Sequence, residues 1–264
     1  MFKRTVLLFL SVMAFYSCTK TTDPVPNTTS RVTSYKIYNA FTNTLGQDTF
    51  RYDQSNNVGS ISYKGTNDIG PYETIDSGTF YFTTNGSTHL PSEYTLIGRK
   101  YFYTADLTEN HVLSYDDQNR LILDSMISSS SAGYNPYGAH YLYTSDAVVI
   151  HTYHATESDF TQQDSILLNT GNFVYYAESF LSGSVWAPEF SYAMTANSGY
   201  ANPFYDEALS KSLGGFFIRN NLNDFISKNL TYPAGYSFTW TTDDKARVVS
   251  GTATDGSYVL FTYQ

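Results

Sequence analysis

The chain is poor in cysteine, in charge and in long apolar runs. Its single cysteine, Cys18, lies close to the N-terminus. The body downstream therefore has no disulfide and no thiolate for metal binding or nucleophilic catalysis. Only 15% of residues are charged, and the net charge is −9. An acidic surface repels phosphate backbones, which excludes nucleic acid as a partner. One apolar run, Thr5 to Tyr16, stands near the start; at about a dozen residues it is too short to cross a bilayer as a helix. No Gly-x-Ser-x-Gly, phosphate loop, dinucleotide fingerprint or His-Glu-x-x-His is present. No cofactor and no catalytic residue is therefore expected. Of the five histidines only His151 and His154 are close together. Strand positions three apart face opposite sides, so no metal site is expected either.

What the chain does have is aromatic residues: 25 Tyr and 18 Phe among 264. Aromatic side chains suit pleated, half-buried surfaces. The stretch Leu113-Ser-Tyr-Asp-Asp-Gln-Asn-Arg-Leu-Ile-Leu-Asp124 reads as strand, turn, strand. Turn-like tips of similar chemistry follow Tyr52, Phe82, Tyr115 and Tyr143, about 30 residues apart, as in a repeated unit. Fainter tips follow Leu168 and Met194, and a last one follows Trp240. In each, Asp, Asn, Thr or Gly supplies the dihedrals and hydrogen bonds of a turn. The pattern predicts an all-β, mostly antiparallel fold, a twisted meander of six to seven hairpins. A helical insertion is expected near 203–229. Asn202-Pro203 reads as its N-cap and first-turn proline, with Phe204, Ala208, Leu209 and Leu213 near helical spacing. The insertion is expected to cover an open face or end of the sheet.

The N-terminus carries a basic Lys3-Arg4, the apolar run, and then Phe15-Tyr16-Ser17-Cys18. This resembles a bacterial lipoprotein signal of the loose type found in Bacteroidota, in which the cysteine becomes the first residue and is lipidated. Phe15 and Tyr16 are bulkier than most such sites carry. Residues 1–17 are then the signal peptide. Residues 18–30, with Pro24 and Pro26, form the lipidated cysteine and a flexible tether, and 31–264 form the hairpin domain. The anchor places the protein in the cell envelope as an outer-membrane lipoprotein, with the periplasmic and surface faces both open.

The Tyr-Asp tips, Asn202-Pro-Phe-Tyr205 and Ser227-Lys-Asn229 resemble an uncharacterised group of Bacteroidota lipoproteins of the domain-of-unknown-function type, with hairpins similar to YD or Rhs repeats. That resemblance implies an envelope β protein and carries over no catalytic residue. Binding candidates are the aromatics beside Gly and Pro. Tyr134 and Tyr137 lie in Ser131–Gly138 and Trp186 in Ser182–Pro188, both read as loops. Exposed rings stack on sugars and anchor protein interfaces. The expectation is a non-enzymatic binding module for a glycan or an envelope protein, attached to the membrane through its anchor. A structural accessory subunit of a membrane complex and a glycan hydrolase are the alternatives. Carboxylates are plentiful, but sequence does not reveal whether two face one cleft at the separation that glycoside hydrolysis requires.

Overall fold

A computed structural model describes residues 31–264 apart from 41–42, 54–56, 70–71, 100–106, 131–136, 155–159, 170, 183–184, 206–209, 211, 215, 217–227 and 236. It contains sixteen strands: β1 (Val32–Asn39), β2 (Thr44–Tyr52), β3 (Val58–Ile69), β4 (Tyr72–Thr84), β5 (Pro91–Arg99), β6 (Leu107–Tyr115), β7 (Leu121–Ser129), β8 (Tyr137–Tyr143), β9 (Ala147–His154), β10 (Phe160–Asn169), β11 (Asn172–Ser182), β12 (Val185–Ala201), β13 (Asn229–Pro233), β14 (Phe238–Thr242), β15 (Val248–Ala253) and β16 (Tyr258–Tyr263). All belong to one sheet in the order β13 back to β1, then β16, β15, β14. The ladders between neighbours are antiparallel. The all-β meander is as expected, but sixteen strands make far more than six or seven hairpins. The turn-forming sequence tips lie along one rim; on the other, Thr254-Asp-Gly-Ser257 turns between β15 and β16, with Gly256 at a φ of 89° and Asp255 accepting the Ser257 N–H.

The sheet must be closed on itself. Its two edges, β13 and β14, are consecutive in the chain and separated by residues 234–237, a reach of at most about 18 Å. Fifteen strand spacings laid flat would span roughly 72 Å. Ring contacts join the edges: Tyr232 to Phe238 at 5.6 Å and Tyr200 to Trp240 at 6.2 Å. The result is a barrel with its seam at β13/β14. The first and last described residues meet elsewhere, where Gln264 N–H donates to the Arg31 carbonyl beside the β1/β16 ladder.

Alternation decides the two faces of the wall. Leu107, Glu109, His111 and Leu113 of β6 are buried, while the residues between them are half-buried. The inward set includes Tyr35, Phe50, Ile61, Phe80, Tyr141 and Ile150. The segment after β12 fills the space they enclose. Phe204 packs on Tyr35, Phe50 and Phe261, and Phe216 on Phe80, Phe82 and Tyr94. Helical backbone appears in this insertion at Ser210, Ser212–Gly214 and Phe216. Pro203 and Phe204 form a turn instead of a first helical turn, with Asn202 Oδ1 accepting the Phe204 N–H at 3.0 Å. Ala208 and Leu209 lie outside the described residues. The faint tip after Met194 is not a turn: β12 runs through it, and Met194 pairs with Pro233. The ladder with β13 is interrupted between Asn197 and Ala201, where Asn197 Oδ1 accepts the Gly199 N–H at 3.1 Å, so the turn chemistry survives as an irregularity within the strand.

Outward, β1 to β6 are dressed with hydroxyls, amides and charges. Lys36, Gln47, Lys64 and Ser77 form one cross-strand row, and Ser34, Thr49, Ser62 and Thr79 form the next. Hydrogen bonds such as Ser62–Thr79 at 2.9 Å and Thr95–Asn110 at 2.8 Å run along this face.

The turn rim repeats one clasp. Asp116 Oδ1 accepts the N–H groups of Gln118 and Arg120, and its Oδ2 accepts from the Arg120 Nε. Asp243 does the same with Lys245 and Arg247. Arg120 lies 4.8 Å over the Tyr143 ring, Arg247 4.4 Å over Tyr263, and Arg31 4.8 Å over Tyr52. In all three the tyrosine hydroxyl donates to the carbonyl of the residue after the arginine, namely Leu121, Val248 and Val32.

Candidate functional site: an inward polar network and an outward aromatic flank

Strands β2, β6, β7, β10 and β11 carry acidic or basic residues in the core phase. On β6, Glu109 and His111 fall in register with Leu107 and Leu113. On β7 a ladder irregularity aims Asp124 inward opposite Leu113. The His111 Nδ1 lies 2.7 Å from Asp124 Oδ1, and its Nε2 lies 3.7 Å from Glu109 Oε2. The Nδ1 contact is a hydrogen bond, whereas the Nε2 contact is longer than one. Tyr94 donates to the other Asp124 oxygen at 3.0 Å and stacks on the His111 ring at 4.3 Å. Tyr137 donates to Glu109 at 2.7 Å and meets His111 edge-on. Glu109 and Asp124 are 0% exposed and His111 1%, so the cluster is sealed from solvent. Buried polar groups are stable when hydrogen-bonded, and here His111 and Tyr94 bond Asp124 while Tyr137 bonds Glu109.

A second inward cluster joins β10 and β11. The Tyr176 hydroxyl donates to Asp164 at 2.8 Å and to Glu178 at 3.1 Å. Burial, then the hydrogen bond and charge of Asp164, push the Tyr176 hydroxyl pKa far up. Burial also raises Glu178, helped by the charges of Asp164 and Glu189 and opposed by the Tyr176 hydrogen bond. On β2, burial pushes Asp48 up to about 6 against a hydrogen bond from Tyr35. Among the described residues no group of three His, Cys, Asp or Glu is arranged to hold a metal ion.

The outward aromatics gather elsewhere. His140 of β8 and His151 of β9 are direct ladder partners, followed by Gln163 of β10. Trp186 stacks on His151 with centroids 5.6 Å apart and planes 16° from parallel. Phe160 touches His140, His151 and Tyr153. Tyr153 lies flat over Gly138, where a Cβ would fall 2.2 Å from its hydroxyl oxygen. Gly138 thus makes room for the ring, whose hydroxyl reaches Ser125 Oγ at 2.9 Å.

The binding candidates are therefore separated. Trp186 is half-buried on β12 rather than in a loop, facing outward. Tyr137 opens β8 rather than lying in a loop, and faces inward on Glu109 and His111. Tyr134 and Cys18 lie outside the described residues. The Glu109–His111–Asp124 cluster was not anticipated, although two polar residues in the phase of Leu107 and Leu113 were its visible signal. The outward His140–His151 pair was also missed, because ladder register is not written in one strand's sequence.

The barrel has a relative in shape. The chain is similar to a porin-like protein from Bacteroides uniformis. The TM-score is 0.50 at 14% identity, over 88% of this chain and 96% of that one. The likeness is one of fold. It lends nothing to the YD or Rhs type of repeat. No family profile matches the chain, and no curated protein does.

Proposed function

We propose that the chain is an envelope lipoprotein, held at the outer membrane by Cys18 and acting as a non-enzymatic binding module for a glycan or an envelope protein. The observation that carries this reading is the dressing of the barrel. Lys36, Gln47, Arg51, Lys64 and Glu93 stand at outward ladder positions on neighbouring strands. Each lysine or arginine placed at the midplane of a bilayer would cost about 2–4 kcal/mol. A wall with these residues faces water, and the interior holds Phe204, Leu213 and Phe216 as core. The barrel then displays surfaces, and its attachment comes from the anchor. The carboxylates of the inward clusters are spent on His111 and tyrosines, which favours binding over hydrolysis.

The test is amine labelling of isolated membranes that carry the full chain, using a membrane-impermeant ester. Lys36 and Lys64 are expected to label as fully as in detergent-solubilised protein, and Cys18→Ala is expected to release the barrel from the membrane. Lysines protected until solubilisation, with the Cys18→Ala protein still embedded, would show a wall seated in lipid.

A further inference from the structure

We infer that the outward face of β8–β12 is the binding surface, and that its ligand is a neutral glycan lying across the strands. The inference rests on the binding-module reading above and names the ligand class for it.

The ladder registers place two complete rows on this face. One runs Leu142, Val149, Ser165, Ala177, Ser191; the other runs His140, His151, Gln163, Ser179, Pro188. Neither row holds a Lys, Arg, Asp or Glu. The opposite flank, by contrast, presents Lys36, Gln47 and Lys64 in a single row. Five strands span about 19 Å between the outer two, so the uncharged surface is wide enough for an extended chain of sugars rather than a single ring. Leu142 is 52% exposed and Leu167 44%, an apolar display of the kind that marks an interaction site when it is contiguous.

The chemistry of the surface selects the ligand. Stacked aromatic rings at Trp186 and His151 offer flat apolar area, as the C–H faces of pyranoses require. Half-buried Gln163 stands beside them, bonded to His151, with an amide suited to sugar hydroxyls. The overall charge of −9 disfavours acidic polysaccharides, and the flank has no cation to capture them. A lipid surface fits less well, because His140, His151 and Gln163 would sit against acyl chains.

The experiment is affinity gel electrophoresis of the full mature chain through gels containing a neutral α-glucan, a β-glucan, a mannan or an arabinoxylan, with polygalacturonate as the acidic control. Retardation by at least one neutral polymer and none by polygalacturonate is expected. Trp186→Ala should weaken it on the order of tenfold or more, as loss of an interface aromatic anchor does. Leu142→Glu changes an exposed residue, so folding is preserved while a charge enters the flank, and it should weaken retardation similarly. Lys64→Ala, on the opposite flank, should leave it unchanged. Migration unaffected by all four neutral polymers would overturn the glycan assignment. So would retardation that survives both flank variants, or that Lys64→Ala abolishes. If Lys36 and Lys64 label freely in membranes while no glycan retards the chain, the glycan assignment alone fails. The module reading then stands with a protein as its partner.

Discussion

Asp48 offers the sharpest check on how the barrel interior is built. It faces inward from β2, and burial pushes its carboxyl up to about 6 from an ordinary value of 3.8. A carboxyl raised by folding contributes stability that is complete below about pH 3.8 and is lost as pH rises through about 6. At 1.36 kcal/mol per unit, a shift of about two units makes the ionised form cost the fold about 3 kcal/mol at pH 7.5, as an upper figure. At pH 5 most of the folded molecules carry the proton, and the cost falls to about 1.6 kcal/mol. Asp48→Asn keeps an acceptor for the Tyr35 hydroxyl and removes the charge. Urea unfolding at both pH values should find the variant more stable than the parent at pH 7.5. Its advantage should shrink by about 1.4 kcal/mol at pH 5. An advantage that stays constant across the two pH values, or a variant weaker than the parent at pH 7.5, would refute the buried-carboxyl account.

Other consequences follow from the same packing. His111→Ala removes a hydrogen-bond partner of buried Asp124; leaving a buried polar group unsatisfied costs about 1–3 kcal/mol, and thermal melts should drop by roughly 2–12 °C. Phe216 is fully buried between Phe80, Phe82 and Tyr94, so Phe216→Ala should cost about 3–5 kcal/mol in chemical denaturation. The Arg120 and Arg247 contacts hold Asp116 and Asp243 below their ordinary values, through hydrogen bonds from each arginine and from turn N–H groups. Depressed carboxyls contribute stability above about pH 3.8 that is lost as pH falls. The double variant Asp116→Asn, Asp243→Asn should therefore flatten the acid limb of a pH–stability profile.

Much of one rim was legible in the sequence. The tips after Tyr115 and Trp240 are turns whose Asp bonds the nearby backbone as Asx chemistry dictates, and Asp53 after Tyr52 accepts the Asn57 N–H in like manner. Such signals are local, so a single chain displays them. The closure is not local. Nothing near Tyr258 announces that its strand pairs with β1, and the seam emerges only from the whole order of strands. Glu109 and His111 are not legible as core residues from one strand, because polar residues in an alternating strand look solvent-facing until the phase is counted against Leu107 and Leu113. Trp186 was taken for a loop residue because Gly183 and Pro188 flank it. The β11–β12 ladder, with an irregularity near Pro188, absorbs that proline.

The pairing of β1 with β16 sets a timetable for the molecule's assembly. Val32 sits opposite Tyr263, so the first strand of the domain waits for the last before its second neighbour exists. Until the C-terminus emerges, β1 presents a bare edge, and unpaired edges of that kind recruit other chains. The long separation also makes closure a late and slow step. A chain of this design has reason to be held unfolded until its last strand is available. The adjacent termini also suggest a remedy: a permutant that joins 264 to 31 and opens at the β13/β14 seam would present the strands in the order in which they pair.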